Sequence, residues 1–316
     1  MTHRTESPAP APAPARAPAR TRDPVTAPAA AGEWLFATLQ RALPQHRLSR
    51  VVHRLTRLRA GPLTRAAIHT FVRAFDVDLR DAAEPGPGQY DSFNTFFTRA
   101  LRPDARPLDA RANTLLCPVD GAVSRLGRLD EGRLVQAKGH AYDVAALLGG
   151  DTELAARFKD GAFATLYLSP RDYHRVHMPI DGTLTQTIHV PGRLFSVNAA
   201  TTAQIARLYA RNERVICLFD TALGPFAVVL VGAIFVGSIE TIWHGELTPP
   251  RGHRVRRLPP PMPAPTLARG AELGRFNMGS TVILLLPAGA ARWRQDLGTG
   301  SRIRVGEALG WLEVNA

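Results

Sequence analysis

Hydrophobic and polar positions change period along this chain, and the change divides it. From Trp34 the apolar residues recur at helical spacing: Trp34, Leu35, Phe36 and Leu39 share a face, Pro44 interrupts, and Leu48, Val51, Val52, Leu55 and Leu58 resume the pattern. Arg47, Arg50, Arg54 and Arg57 fall largely on the other side. Gly61-Pro62 breaks the run, and Leu63, Ala67, Ile68, Phe71, Val72 and Phe75 mark a second amphipathic helix. Residues 81–88 form a turn-rich linker, after which Ser92 is placed to cap a short helix carrying Phe93, Phe96 and Phe97. Beyond Leu101 the period shortens to that of strands, predicted at 121–126, 163–168, 184–190, 214–219, 226–236 and 281–286, with Gly, Pro and Asp between them. Helices there are minor: Asp143 is expected to cap 144–148, Asp151 a turn reaching Phe158, and 203–208 to form a third. The pattern predicts an α+β fold with a β-rich core. A Pro/Arg-rich loop at 249–265 separates its main body from the last piece, 271–316.

Composition adjusts this picture at the ends. Residues 1–31 repeat Ala and Pro without a continuous apolar stretch, which predicts a disordered tail rather than a signal or a membrane span. The longest apolar run, 226–236, is interrupted by Gly232 and falls well short of the roughly 18 to 20 residues a bilayer requires. Cys117 and Cys217 are the only cysteines, so no disulfide framework is expected and a reducing compartment fits. The formal charge of +12 is concentrated: residues 34–75 hold eight arginines and no acidic residue. A basic amphipathic helix suits an anionic membrane surface, where each basic group contributes about 1 kcal/mol. A helical hairpin with a solvated basic face fits the pattern equally well, whereas nucleic acid lacks the interleaved stacking aromatics it would call for. Lysine is scarce, with Lys138 and Lys159 the only two, which leaves pyridoxal phosphate few anchoring sites.

Three stretches could carry chemistry. Cys117-Pro118-Val119-Asp120-Gly121 sets a carboxylate in a turn before a strand, where it could orient an imidazole. Residues 167–179 pack His174 and His177, two arginines, an aspartate and two tyrosines at the exit of an apolar strand. The histidines are three apart, as a metal pair can be, but no third ligand of matching context accompanies them, so no metal is expected. Gly279-Ser280-Thr281 then opens the last core strand. A hydroxyl directly after a glycine can attack its own peptide bond, because glycine leaves its carbonyl unshielded and permits the strained approach. A plain turn entering a strand is the alternative.

These stretches together resemble the bacterial, pyruvoyl-dependent phosphatidylserine decarboxylases. The likeness is carried by Pro118-Val119-Asp120-Gly121, Gln136-Ala137-Lys138-Gly139-His140, residues 167–179, Pro191-Gly192-Arg193-Leu194-Phe195-Ser196-Val197-Asn198, Ala210-Arg211-Asn212-Glu213-Arg214, Gly237-Ser238-Ile239-Glu240-Thr241 and Gly279-Ser280-Thr281, in order. Met278 stands where the family usually has leucine, a swap of similar volume. The resemblance implies a barrel-sandwich-like core and assigns Ser280 as the self-cleavage nucleophile, His177 as its general base and Asp120 as the carboxylate that orients the histidine. Cleavage after Gly279 would divide the chain into residues 1–279 and 280–316, held together as a heterodimer, and leaves open whether that pair dimerises further. Ser280 would become a covalent pyruvoyl group, the only cofactor, which forms a Schiff base with the amine of phosphatidylserine and accepts electrons as CO2 leaves, giving phosphatidylethanolamine. His174 is implied at this step, as a carboxylate contact or proton donor.

With that context, residues 32–100 are read as a basic membrane-docking region and 101–316 as the catalytic core. The enzyme would sit peripherally on the cytoplasmic face of the cell membrane. Two rivals remain at this point: a serine hydrolase using Asp120, His177 and Ser280 on an external ester or peptide, and a non-catalytic membrane-binding module.

Overall fold

The computed structural model describes residues 40, 43–137, 140–234, 238–248, 253–278 and 280–313. The predicted tail, Trp34 and Phe36, and Gly279 itself lie outside these. The core is a nine-stranded sheet in which Ser280–Leu286 runs between Gly224–Val231 and Ala162–Leu168. From there the sheet continues on one side through Arg214–Thr221 to Gly182–Val190, and on the other through Gly121–Arg128 to Arg302–Ile303. Its neighbouring strands pair antiparallel.

The central strand reads as unbroken hydrophobicity because both of its faces are covered. Val282, Leu284 and Leu286 join one buried cluster with Leu166, Val228 and Phe276, while Ile283 and Leu285 join another with Phe163, Val229 and Phe195. All seven of its residues are buried. At roughly 25 cal/mol per Å² of apolar area, such a strand contributes several kcal/mol, which would hold a fragment starting at Ser280 in place.

The α+β expectation stands, but the sheet among the described residues is open rather than barrel-like. Its edges end on short strands, Arg256–Leu258 and Thr266–Leu267 at one side and Arg302–Ile303 at the other, which do not reach each other to close it. A four-stranded sheet, Gly245–Glu246, Ile239–Thr241, Glu272–Phe276 and Arg175–His177, abuts the end where Ser280 enters.

Two helices, Gln45–Leu55 and Pro62–Phe75, precede the core. The second buries Ile68 in a cluster with Val77, Leu79, Phe96 and Phe97, against which Met278 packs. The predicted Ser92 cap is present, its hydroxyl accepting the Thr95 N–H at 3.1 Å, and so is the Asp151 cap, which accepts from Leu154 N–H at 2.9 Å. The helix expected at 203–208 is instead two, Ala199–Gln204 and Leu208–Arg211, broken where Arg207 takes a left-handed conformation at φ 58°.

Candidate active site

The site is built where the chain leaves one sheet and enters another. Glu272–Phe276 ends beside Arg175–His177, Ser280 then opens the central strand opposite Leu168, and Ser169 to Arg175 loops between the two. Asp172 braces that loop: one carboxylate oxygen accepts the Ser169 N–H and hydroxyl, both at 2.7 Å, and the other accepts from Arg302 at 2.6 Å. A braced loop holds His174 in a fixed orientation, and the backbone completes the tie, since Phe276 N–H donates to the His174 carbonyl at 3.0 Å.

Ser280 is fully buried, and its Oγ has no hydrogen-bond partner among the described residues. Leaving a buried hydroxyl unpaired costs about 1–3 kcal/mol, so such an atom calls for an explanation. His174 is also fully buried, with its ring against Phe97 at 4.1 Å between centroids. Its Nδ1–H donates to the Asp172 carbonyl at 2.8 Å, which fixes the tautomer and leaves Nε2 as a bare lone pair, likewise unpartnered. Burial takes its pKa from 6.5 down to about 3, so the imidazole is neutral at working pH.

His177 sits on the paired strand with both nitrogens engaged. Nδ1–H donates to the Gly270 carbonyl at 2.8 Å, and Nε2 accepts from the Tyr173 hydroxyl at 3.1 Å. Burial lowers its pKa as well, and burial raises that of Tyr173, which keeps the phenol a donor. Asp120 is buried and gripped from two sides: Arg106 donates to it bidentately at 3.0 and 2.6 Å, and the Val305 N–H donates at 2.9 Å. Arg106 also reaches Asp81 at 2.7 Å.

The expected direct links are therefore not those of this structure. No hydrogen bond joins Asp120 to His177, or His177 to Ser280, among the described residues. The job foreseen for Asp120, fixing the imidazole tautomer, is done by the Gly270 carbonyl, because His177 lies on a strand whose neighbour presents that group. Asp120 stays in the neighbourhood, two residues after the Pro118 carbonyl that takes the His177 N–H at 2.9 Å, but its charge is answered by Arg106. Sequence reasoning missed Arg106, Tyr173 as the partner of His177, and Asn277. The last is buried, its amide N–H bonded to the Ser238 carbonyl at 2.9 Å. The density of 167–179 was the available signal for Tyr173, and nothing in the sequence around Arg106 marked it.

Among the described residues no His, Cys, Asp and Glu grouping is arranged to hold a metal ion. The residues present do fit a group formed at position 280. The oxygen that would attack is enclosed and without a hydrogen bond among the described residues, and the base offered by His174 is neutral and unengaged.

A family model described as phosphatidylserine decarboxylase matches residues 93–311, and one described as PSD matches residues 35–76. The chain is 53% identical over 276 residues to the phosphatidylserine decarboxylase proenzyme of Methylococcus capsulatus, covering 87% of this chain and 96% of that protein. It is similarly close to the proenzymes of Azotobacter vinelandii, 53% over 282 residues (89% and 99% covered), and Acidovorax ebreus, 52% over 270 residues (85% and 95% covered).

Proposed function

The chain belongs to the phosphatidylserine decarboxylase family and is a carboxy-lyase of that kind, and from this premise we propose how its own residues carry out the reaction. Ser280 Oγ attacks the Gly279 carbonyl carbon as the peptide C–N bond breaks, giving an ester and a free amine at residue 280. Loss of the Ser280 α-proton expels the Gly279 carboxylate and leaves dehydroalanine, which takes up water and releases ammonia to become a pyruvoyl group. His177 is the base, its Nε2 lone pair set by the Gly270 carbonyl, and Tyr173 must yield that nitrogen for it to act. Asp120 supports the site through Arg106. The observation that carries this reading is Ser280 itself, a fully buried, unpaired hydroxyl at the start of a core strand and next to a glycine in sequence.

Once formed, the pyruvoyl group supplies a ketone conjugated to a carbonyl, able to accept the electron pair released with CO2. His174 handles the proton. Its Nε2 cannot donate in the resting state, so it serves the α-carbon only once protonated in the substrate complex, where a substrate carboxylate beside it favours the charged imidazole, and it delivers that proton after CO2 departs.

The first helix supports docking on an anionic lipid surface. It inverts the usual arrangement: Gln45 and Ser49 face the protein, while Val51 and Leu55 are 52% and 58% exposed. Leu58 at 54% and Leu63 at 75% extend the apolar surface, and Arg47, Arg50, Arg54, Arg59 and Arg65 are exposed around it. The inward side is held by Gln45, which accepts the Leu194 N–H at 3.0 Å, and by His46, which donates to the Gly192 carbonyl at 2.9 Å. No helix among the described residues is long and apolar enough to cross a membrane, so attachment through this face is peripheral.

Purified protein given vesicles of carboxyl-labelled phosphatidylserine should release labelled CO2, and borohydride, which reduces ketones, should stop it. A chain that stays in one piece and hydrolyses esters instead would sink the proposal. For docking, Val51→Glu with Leu55→Glu should weaken binding to anionic vesicles by at least about tenfold, each side chain losing roughly 1.5 kcal/mol or more of burial, with self-cleavage unchanged. Undiminished sedimentation with vesicles would refute the docking face.

A further inference from the structure

A line of polar contacts joins the first helix to the segment just before the bond expected to break. His53 Nε2 and Glu246 Oε1 lie 3.0 Å apart, and Arg57 Nη2 donates to the same carboxylate oxygen. Ser238, fully buried, donates its hydroxyl to that oxygen too and accepts the side-chain Nδ2–H of Asn277. The other end of the Asn277 amide accepts from Asn94 Nδ2 at 3.1 Å, and Asn94 N–H in turn bonds the Thr56 carbonyl at 2.8 Å. Both ends of the Asn277 side chain are thus specified in a direction, donor toward Ser238 and acceptor toward Asn94.

Asn277 is two residues from Gly279, whose carbonyl Ser280 would attack. Attack on one's own peptide bond depends on the approach of oxygen to carbonyl carbon, and small misplacements of a reacting group are expensive. We infer that Glu246, Ser238 and Asn277 form a polar relay that positions the Gly279–Ser280 bond for self-cleavage, anchored by His53 on the first helix and by Arg57 just past its end. The inference rests on the self-cleavage reading above. These residues are positioning residues: none touches the reacting atoms, and each acts by fixing where the chain lies as it approaches Ser280. The carboxylate of Glu246 sets the direction of the relay, because it can only accept and so turns the Ser238 hydroxyl toward itself, leaving the Ser238 lone pairs for Asn277.

That direction can be reversed without changing shape. Asn277→Asp places an acceptor against Ser238 while Glu246 still demands its proton, so two acceptors compete for one hydroxyl. Adding Glu246→Gln removes the competing charge: the new amide oxygen keeps its contacts with Arg57 and His53, Arg57 Nη2 lies 3.4 Å from Ser238 Oγ and can donate there, and the Ser238 hydroxyl is free to turn to the carboxylate at position 277. The test follows loss of the intact chain over time after pulse labelling in cell-free synthesis. Asn277→Asp should slow cleavage by at least about tenfold, and the double variant should recover to within about threefold of the parent. Both substitutions are isosteric, so a mere packing role would give neither the defect nor the rescue.

Thermal unfolding of the same substitutions on a Ser280→Ala background compares intact chains and separates misfolding from mispositioning. Should Asn277→Asp fail to fold, Ser238→Ala decides in its place, with the same slowing expected. Parental cleavage rates in Asn277→Asp or Ser238→Ala, or a double variant no faster than Asn277→Asp alone, overturn the relay. A parent chain that never divides overturns the self-cleavage reading itself, before any variant is compared.

Discussion

Ser280→Ala leaves the chain in one piece and without decarboxylase activity, while its folding stability is unchanged or slightly higher. The chemical half of this expectation is absolute, because the hydroxyl removed is the nucleophile of cleavage, and without the ester it forms there is no elimination to dehydroalanine and no reactive ketone. The stability half follows from geometry. The Oγ is fully buried with no partner among the described residues, so its removal takes away an unpaired polar atom, worth about 1–3 kcal/mol, and leaves only an oxygen-sized void. Intact-mass measurement reads the first effect and thermal unfolding the second. Two fragments parting after Gly279 in the alanine variant would remove Ser280 from its assigned role. A large drop in unfolding temperature would mean that the hydroxyl has a structural partner.

His174→Asn separates the two reactions. The asparagine amide can keep the hydrogen bond to the Asp172 carbonyl that His174 Nδ1 makes, while the ring nitrogen aimed into the site is lost. Division of the chain should continue, and decarboxylation per divided molecule should fall by about 10²–10⁴, the usual share of a positioned acid or base. His177→Asn should do the reverse, slowing the appearance of fragments by a similar factor. These outcomes rest on the different states of two neighbouring imidazoles. His174 is neutral and unengaged at Nε2, whereas His177 carries its lone pair toward a phenol that can move. Full turnover by a divided His174→Asn protein would transfer the α-carbon proton to another group.

Much of this site is legible in the residues alone because its parts are local. The apolar run after Ser280 announces a strand covered on both faces, and the crowding of 167–179 announces chemistry, since charged groups are rarely concentrated at the end of a core strand without a use. Strand positions survive translation into the structure within a few residues, as with 214–219 against Arg214–Thr221. The short helix at 203–208 does not, because its break comes from one left-handed residue, Arg207, that no periodicity signals.

Partnership is less legible. The family resemblance pairs Asp120 with His177, yet the carboxylate turns to Arg106 and the imidazole to Gly270 and Tyr173. A guanidinium offers a carboxylate two charge-assisted hydrogen bonds where a neutral imidazole offers one, so the arginine wins once folding brings it within reach. The first helix makes the same point with the opposite polarity. Its pattern of leucines and valines fits either a face packed on the core or one entering a membrane, and the inward positions go to Gln45, which bonds two backbone groups, and to Ser49, whose hydroxyl is buried without a partner among the described residues.

The sequence by itself determined most of the elements and singled out the Gly279-Ser280 bond as the candidate for cleavage, because strand burial, helix periodicity and a Gly-Ser bond are properties of neighbouring residues. Only the tertiary structure decided which groups meet: Arg106 on Asp120, a carbonyl and a phenol on His177, a bare Nε2 on His174, and Asn277 tied back to the first helix. Those pairings join residues far apart in the chain, and each is settled by which donors and acceptors folding buries together, a competition that residue spacing does not record.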